Sequence, residues 1–89
     1  KSACIHLYGI VQGVGMRYQV FRKASGLGLT GYVKNMLDGS VKIEVEGEEA
    51  SILSLVDYAK NDVRWARVEE VEIEWGDYRN RYKQFEIIG

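Results

Sequence analysis

Apolar residues recur at every second position at the start of this chain, then at every third or fourth, and the same exchange of period is repeated once further on. A two-residue period turns one face of a strand toward a core, and a stripe at i, i+3 or i+4 does so for a helix. The order of periods is therefore an order of elements. Ser2 to Tyr8 sets Ala3, Ile5 and Leu7 against Cys4, His6 and Tyr8 and predicts a strand. Met16, Val20, Ala24 and Leu27 then form a helical stripe, with Gly26 and Gly28 available for its end. Thr30 to Asn35 and Val41 to Glu46 predict two strands joined by a hairpin turn at Leu37-Asp38-Gly39-Ser40. In the second of these, Val41, Ile43 and Val45 face the core while Lys42, Glu44 and Glu46 face water. Ile52, Leu55, Val56 and Ala59 predict a second helix over Glu48 to Asn61. Ala66 to Trp75 predicts a fourth strand, bulged at Glu69-Glu70 where the alternation breaks. Tyr82 to Ile88 follows as a last short strand.

This β-α-β-β-α-β order with one added strand is the split βαβ, ferredoxin-like pattern, an α+β sandwich. It predicts one domain over residues 1–89, with two helices on one face of an antiparallel sheet. A hydrophobic share of 46% and the absence of proline fit a folded core rather than a disordered segment. Cys4 is the only cysteine, so no internal disulfide can form, and a reducing, cytoplasmic setting is the expectation. No apolar run approaches the roughly 20 residues of a bilayer span, so no membrane partner is expected. A formal net charge of −1 argues against general attraction to nucleic acid. An anionic ligand has to be held locally.

The place to hold one follows from the topology. Two strands joined by a helical crossover run parallel, so the glycine-rich stretch YGIVQGVGMR after the first and Asn35 at the end of the second lie at one edge of the sheet. With one strand between them, those ends are about 10 Å apart. Glycines let successive N–H groups point inward, and the first turn of a helix adds unpaired donors and partial positive charge. Arg17 adds a permanent cation whose paired donors suit phosphate oxygens. On these residues alone, an ordinary turn with a solvated arginine remains an open reading. Neither the Walker pattern nor the dinucleotide pattern is present: no Lys-Ser/Thr follows Gly13 or Gly15, and Gly13-Val14-Gly15 is not followed by a third glycine.

The segments GIVQGVGMR (Gly9 to Arg17) and GYVKNMLDGSV (Gly31 to Val41) resemble the two signatures of the acylphosphatases, and the likeness extends over nearly the whole chain. The resemblance implies hydrolysis of a carboxyl-phosphate anhydride to carboxylate and inorganic phosphate, without metal or cofactor. It implies that the loop Gly9, Ile10, Val11, Gln12, Gly13, Val14 and Gly15 binds phosphate together with Arg17, and that Asn35 positions the attacking water. The expected ligands are a small acyl phosphate, and inorganic phosphate as product and competitive inhibitor; a monomer is expected. Two departures stand out: Met16 replaces a common aromatic residue, and Asn61-Asp62-Val63 replaces a Gly-Pro turn found in many members.

A non-catalytic phosphate-binding or regulatory module on the same scaffold is the alternative, and a third is the N-terminal domain of a larger maturation protein. Retention of both Arg17 and Asn35 favours the enzyme. His6 and Cys4 share the strand face away from the core and are too few for a metal site; His6 is expected to be a partly exposed strand residue, and Cys4 is taken as structural. Tyr32, Trp65, Trp75, Tyr78 and Tyr82 could suggest base stacking, yet Glu70, Glu72 and Glu74 would repel a phosphate backbone. Asp38 reads as a turn former.

Overall fold

The computed structural model describes residues 1–89. Its elements are β1 (Ser2–Ile10), α1 (Met16–Gly26), β2 (Thr30–Asn35), β3 (Val41–Glu46), α2 (Glu49–Asn61), β4 (Arg67–Gly76) and β5 (Phe85–Ile87). The strands lie in the order β4-β1-β3-β2-β5. β3 sits between β1 and β2 and is antiparallel to both, so β1 and β2 are parallel and end at the same edge.

The periods found their partners. Ala3, Ile5, Leu7, Val33, Val41, Ile43 and Val45 bury one face of the sheet against Met16, Val20 and Ala24 of α1 and Ile52, Leu55, Val56 and Ala59 of α2. Each Val, Leu or Ile of that set contributes about 1.5–3 kcal/mol by leaving water. α1 stops at Gly28, whose φ of +75° is the left-handed conformation that glycine tolerates; Gly26 is still helical. The β2–β3 turn is closed by Asp38, whose Oδ1 accepts from the Ser40 N–H at 2.9 Å and from its hydroxyl at 2.6 Å. No helix is long and apolar enough to cross a membrane.

The acidic bulge is present at Glu69: Tyr8 pairs with Glu70 and Gly9 with Val68, leaving Glu69 unmatched. Gly9 (φ +124°) is required there, because a Cβ would lie 2.2 Å from the Arg67 carbonyl oxygen. β1 therefore runs through Gly9 to Ile10, two residues beyond the expected end.

Two expectations are corrected. The sheet is mixed, because β5 pairs parallel to β2 with Gly31 opposite Phe85 and Val33 opposite Ile87. β4 ends beside Ser2, at the end of the sheet where β1 and β2 begin, and the segment 77–84 crosses that end to the far edge. A strand starting from there can only run the way β2 runs. The second correction concerns Glu44 and Glu46, expected in water. The Glu46 side chain is completely buried and that of Glu44 is largely so, because the crossing segment lies over them.

Glu46 clamps that segment. Its carboxylate accepts from the backbone N–H of Arg79 at 2.9 Å and of Arg81 at 2.8 Å, with the Arg81 guanidinium 3.4 Å away. Burial alone would raise its pKa, but these donors together outweigh burial and hold the carboxyl below the usual carboxylate range. A depressed folded pKa stabilises the protein above the unfolded value of about 4.3 and loses that stability as pH falls through the folded value. Glu46→Gln is expected to cost about 2–3 kcal/mol at pH 7 in urea denaturation, because one acceptor atom becomes a donor facing the N–H of Arg79 or Arg81. The variant's stability should also fall less steeply than the parent's below pH 5, whereas equal slopes would remove Glu46 as the titrating clamp.

Candidate active site

The edge where β1 and β2 end carries a cavity of about 260 Å³ lined by Val11, Gly13, Gly15, Arg17 and Asn35, together with Met16, Tyr18 and Ile87. The backbone builds one side of it. Gly13 (φ +74°) and Gly15 (φ +80°) are both left-handed, and Gly15 is the residue from which α1 departs. Left-handed turns of this kind bring N–H groups round to one side of a loop.

Gln19 makes the first helical hydrogen bond, to the Gly15 carbonyl at 3.1 Å, and no side chain caps the helix. The N–H groups of Met16, Arg17 and Tyr18 therefore have no protein acceptor. No acidic residue occupies the first turn, so no carboxylate competes for the positive end of the helix. Three unpaired donors and a guanidinium converge on one small volume, which suits a compact oxyanion.

Arg17 and Asn35 are tied together through the chain that follows β5. The Arg17 guanidinium donates through Nη1 to the Gly89 carbonyl, and the Asn35 backbone N–H donates to the same oxygen at 3.1 Å. Ile88 continues the parallel pairing by donating to the Val33 carbonyl at 3.0 Å. One carbonyl thus spaces the two residues, while the other guanidinium donors have no protein acceptor.

The Asn35 side chain is in an unusual state. Its Oδ1 is buried without a hydrogen-bond partner, and no other buried side-chain oxygen or nitrogen is so left. Such an orphan costs about 1–3 kcal/mol. Nothing anchors the amide, so rotation about its last torsion can turn either an acceptor or a donor toward the cavity.

The expected loop residues divide into three groups. Val11, Gly13 and Gly15 line the cavity. Gly9 and Ile10 belong to β1, where Gly9 meets the bulge of β4. Gln12 and Val14 turn elsewhere: Val14 packs against the core, and Gln12 Nε2 donates to the carbonyls of Met36 at 2.8 Å and Ser40 at 2.9 Å. Gln12 therefore staples the loop to the hairpin that carries Asn35, which fixes the separation of the two halves of the site. Tyr18 and Ile87 were missed. Tyr18 lies two positions off the buried stripe of α1, next to Arg17, and could have been found as a helix-start residue facing the loop; Ile87 required knowledge of where β5 docks.

Cys4 and His6 lie away from this edge, in a cleft with Glu72 and Glu74. Burial first, then the neighbouring Glu44, push the Cys4 thiol up to about 11, so it stays protonated and a poor nucleophile at neutral pH. No group of three or more His, Cys, Asp or Glu side chains is arranged to hold a metal ion.

Known proteins resemble this chain in sequence and fold. The acylphosphatase family model matches residues 3–87. An acylphosphatase from Caldanaerobacter subterraneus subsp. tengcongensis is 48% identical over 98% of this chain and 97% of its own. The crystal structure of acylphosphatase from Bacillus subtilis superposes with a TM-score of 0.93 at 34% identity, covering 99% of this chain and 98% of that one. HypF from T. kodakarensis also contains the fold, with a TM-score of 0.83 at 35% identity, covering 98% of this chain but 12% of its own. With the family model spanning almost every residue described above, the chain belongs to the acylphosphatase family.

Proposed function

We propose that this acylphosphatase works through positioning and charge neutralisation alone, with Arg17 and the loop-helix N–H groups holding the phosphoryl group and Asn35 placing the water. The observation that carries the reading is that Asn35, whose Oδ1 is buried without a partner, lines the same cavity as Arg17. An acyl phosphate has a carboxylate leaving group, a weak base that departs without a general acid. The remaining work is to neutralise the phosphoryl oxygens and hold water in line with the leaving oxygen. Water attacks phosphorus, the bond from phosphorus to the acyl oxygen breaks, and the carboxylate leaves with the electron pair. The water's proton passes to a phosphoryl oxygen of the substrate itself.

In this reading Val11, Gly13 and Gly15 shape the cradle, and Gly9, Ile10, Gln12 and Val14 support it. Residues 1–89 act as one unit, a monomer in the cytoplasm, the latter in keeping with a single, unreactive cysteine. The test is hydrolysis of benzoyl phosphate in the presence of a chelator. Turnover that persists and is inhibited competitively by inorganic phosphate is the expected result. Phosphate binding without turnover would instead favour a regulatory module.

A further inference from the structure

We infer that the same cavity carries an acyl-group subsite for neutral, apolar acyl chains, formed by Tyr18 and Ile87; the inference rests on the proposed reaction at this site. Arg17 is the only charged residue lining the cavity, and half of the lining residues are hydrophobic. These fall at two levels. Val11 and Met16 are each 1% exposed and form a closed floor, whereas Tyr18 at 55% and Ile87 at 41% stand open to solvent at the mouth.

The geometry of the reaction assigns the acyl group to the mouth. Phosphate oxygens take the N–H groups and Arg17, and the leaving oxygen must lie opposite the attacking water, so the acyl chain extends out past the side chains that rim the cavity. There it meets an aromatic ring and a branched aliphatic chain. Tyr18 lies beside two neighbours on α1: the Phe21 ring is 6.5 Å from its own, and the Arg22 guanidinium is 5.9 Å from its centroid.

Charge points the same way. Arg22 packs against Tyr18 without lining the cavity, and Lys34 lies on the opposite face of β2 from Val33 and Asn35. An acyl group bearing its own carboxylate has no cation to meet other than Arg17, which the phosphate occupies. Desolvating it against Ile87 is unfavourable. A cavity of about 260 Å³ is slightly below the roughly 300–1,000 Å³ of drug-sized sites, which suits a phosphate with a compact acyl group.

The test compares kcat/KM for benzoyl, acetyl and succinyl phosphate, and the binding of benzoylphosphonate and acetylphosphonate, which cannot be hydrolysed. The parent should prefer benzoyl over succinyl phosphate by about tenfold or more, and bind benzoylphosphonate more tightly than acetylphosphonate by a similar factor. In the double variant Tyr18→Ser, Ile87→Ser, with its fold checked by circular dichroism, both preferences should fall to within about twofold. Equal handling of the ligands by the parent, or preferences that the double variant leaves intact, overturns the subsite. Loss of turnover with every acyl phosphate, while phosphonate discrimination persists and depends on Tyr18 and Ile87, upholds the subsite and overturns the reaction assigned above.

Discussion

Replacing Arg17 with alanine is expected to lower kcat/KM for benzoyl phosphate by about three orders of magnitude, and to weaken inhibition by phosphate in step. Arg17 is the only cation that lines the cavity, so no neighbour can take over its charge. Arg17→Lys restores the charge and still should leave a loss of about a hundredfold, because the ammonium cannot present the paired, planar donors of a guanidinium. Steady-state kinetics on both variants measure this directly. A lysine variant with near-parent kcat/KM would show that charge alone suffices, and would remove geometry from the role assigned to Arg17.

The pairing of Arg17 with Asn35 was legible in the residues because each is fixed by a local signal. The helical stripe begins at Met16, which puts Arg17 in the first turn, and the Asp38-Gly39 turn ends β2 at Asn35. The helical crossover, which makes β1 and β2 parallel, then brings both to one edge without further information. What could not be read depended on contacts between distant segments. β5 has three residues, too few for a period, and its partner β2 is parallel and lies some fifty positions earlier. Alternation in β3 states which side of the sheet Glu46 faces; it cannot state that segment 77–84 covers that side. The glycines were ambiguous for a related reason. Gly9 is demanded by the close approach of the Arg67 carbonyl, Gly13 and Gly15 by left-handed turns in open space, and one letter stands for both causes.

Asn35→Ala should separate catalysis from binding. Because Asn35 is assigned to the water, kcat is expected to fall by about two to three orders of magnitude while the inhibition constant for phosphate changes less than about threefold. Stability supplies an independent reading of the same substitution. Truncating a partly buried side chain ordinarily destabilises, but here it also removes a buried oxygen that has no donor, a relief of about 1–3 kcal/mol. The alanine variant should therefore unfold in urea at the parent's midpoint or above it. An inactive protein that is no less stable and still binds phosphate marks Asn35 as a residue kept at an energetic cost for its part in the reaction. Parent-level turnover would exclude it from placing the water. A marked loss of stability would instead mean that its oxygen is satisfied in solution and that the residue holds the β2 edge together.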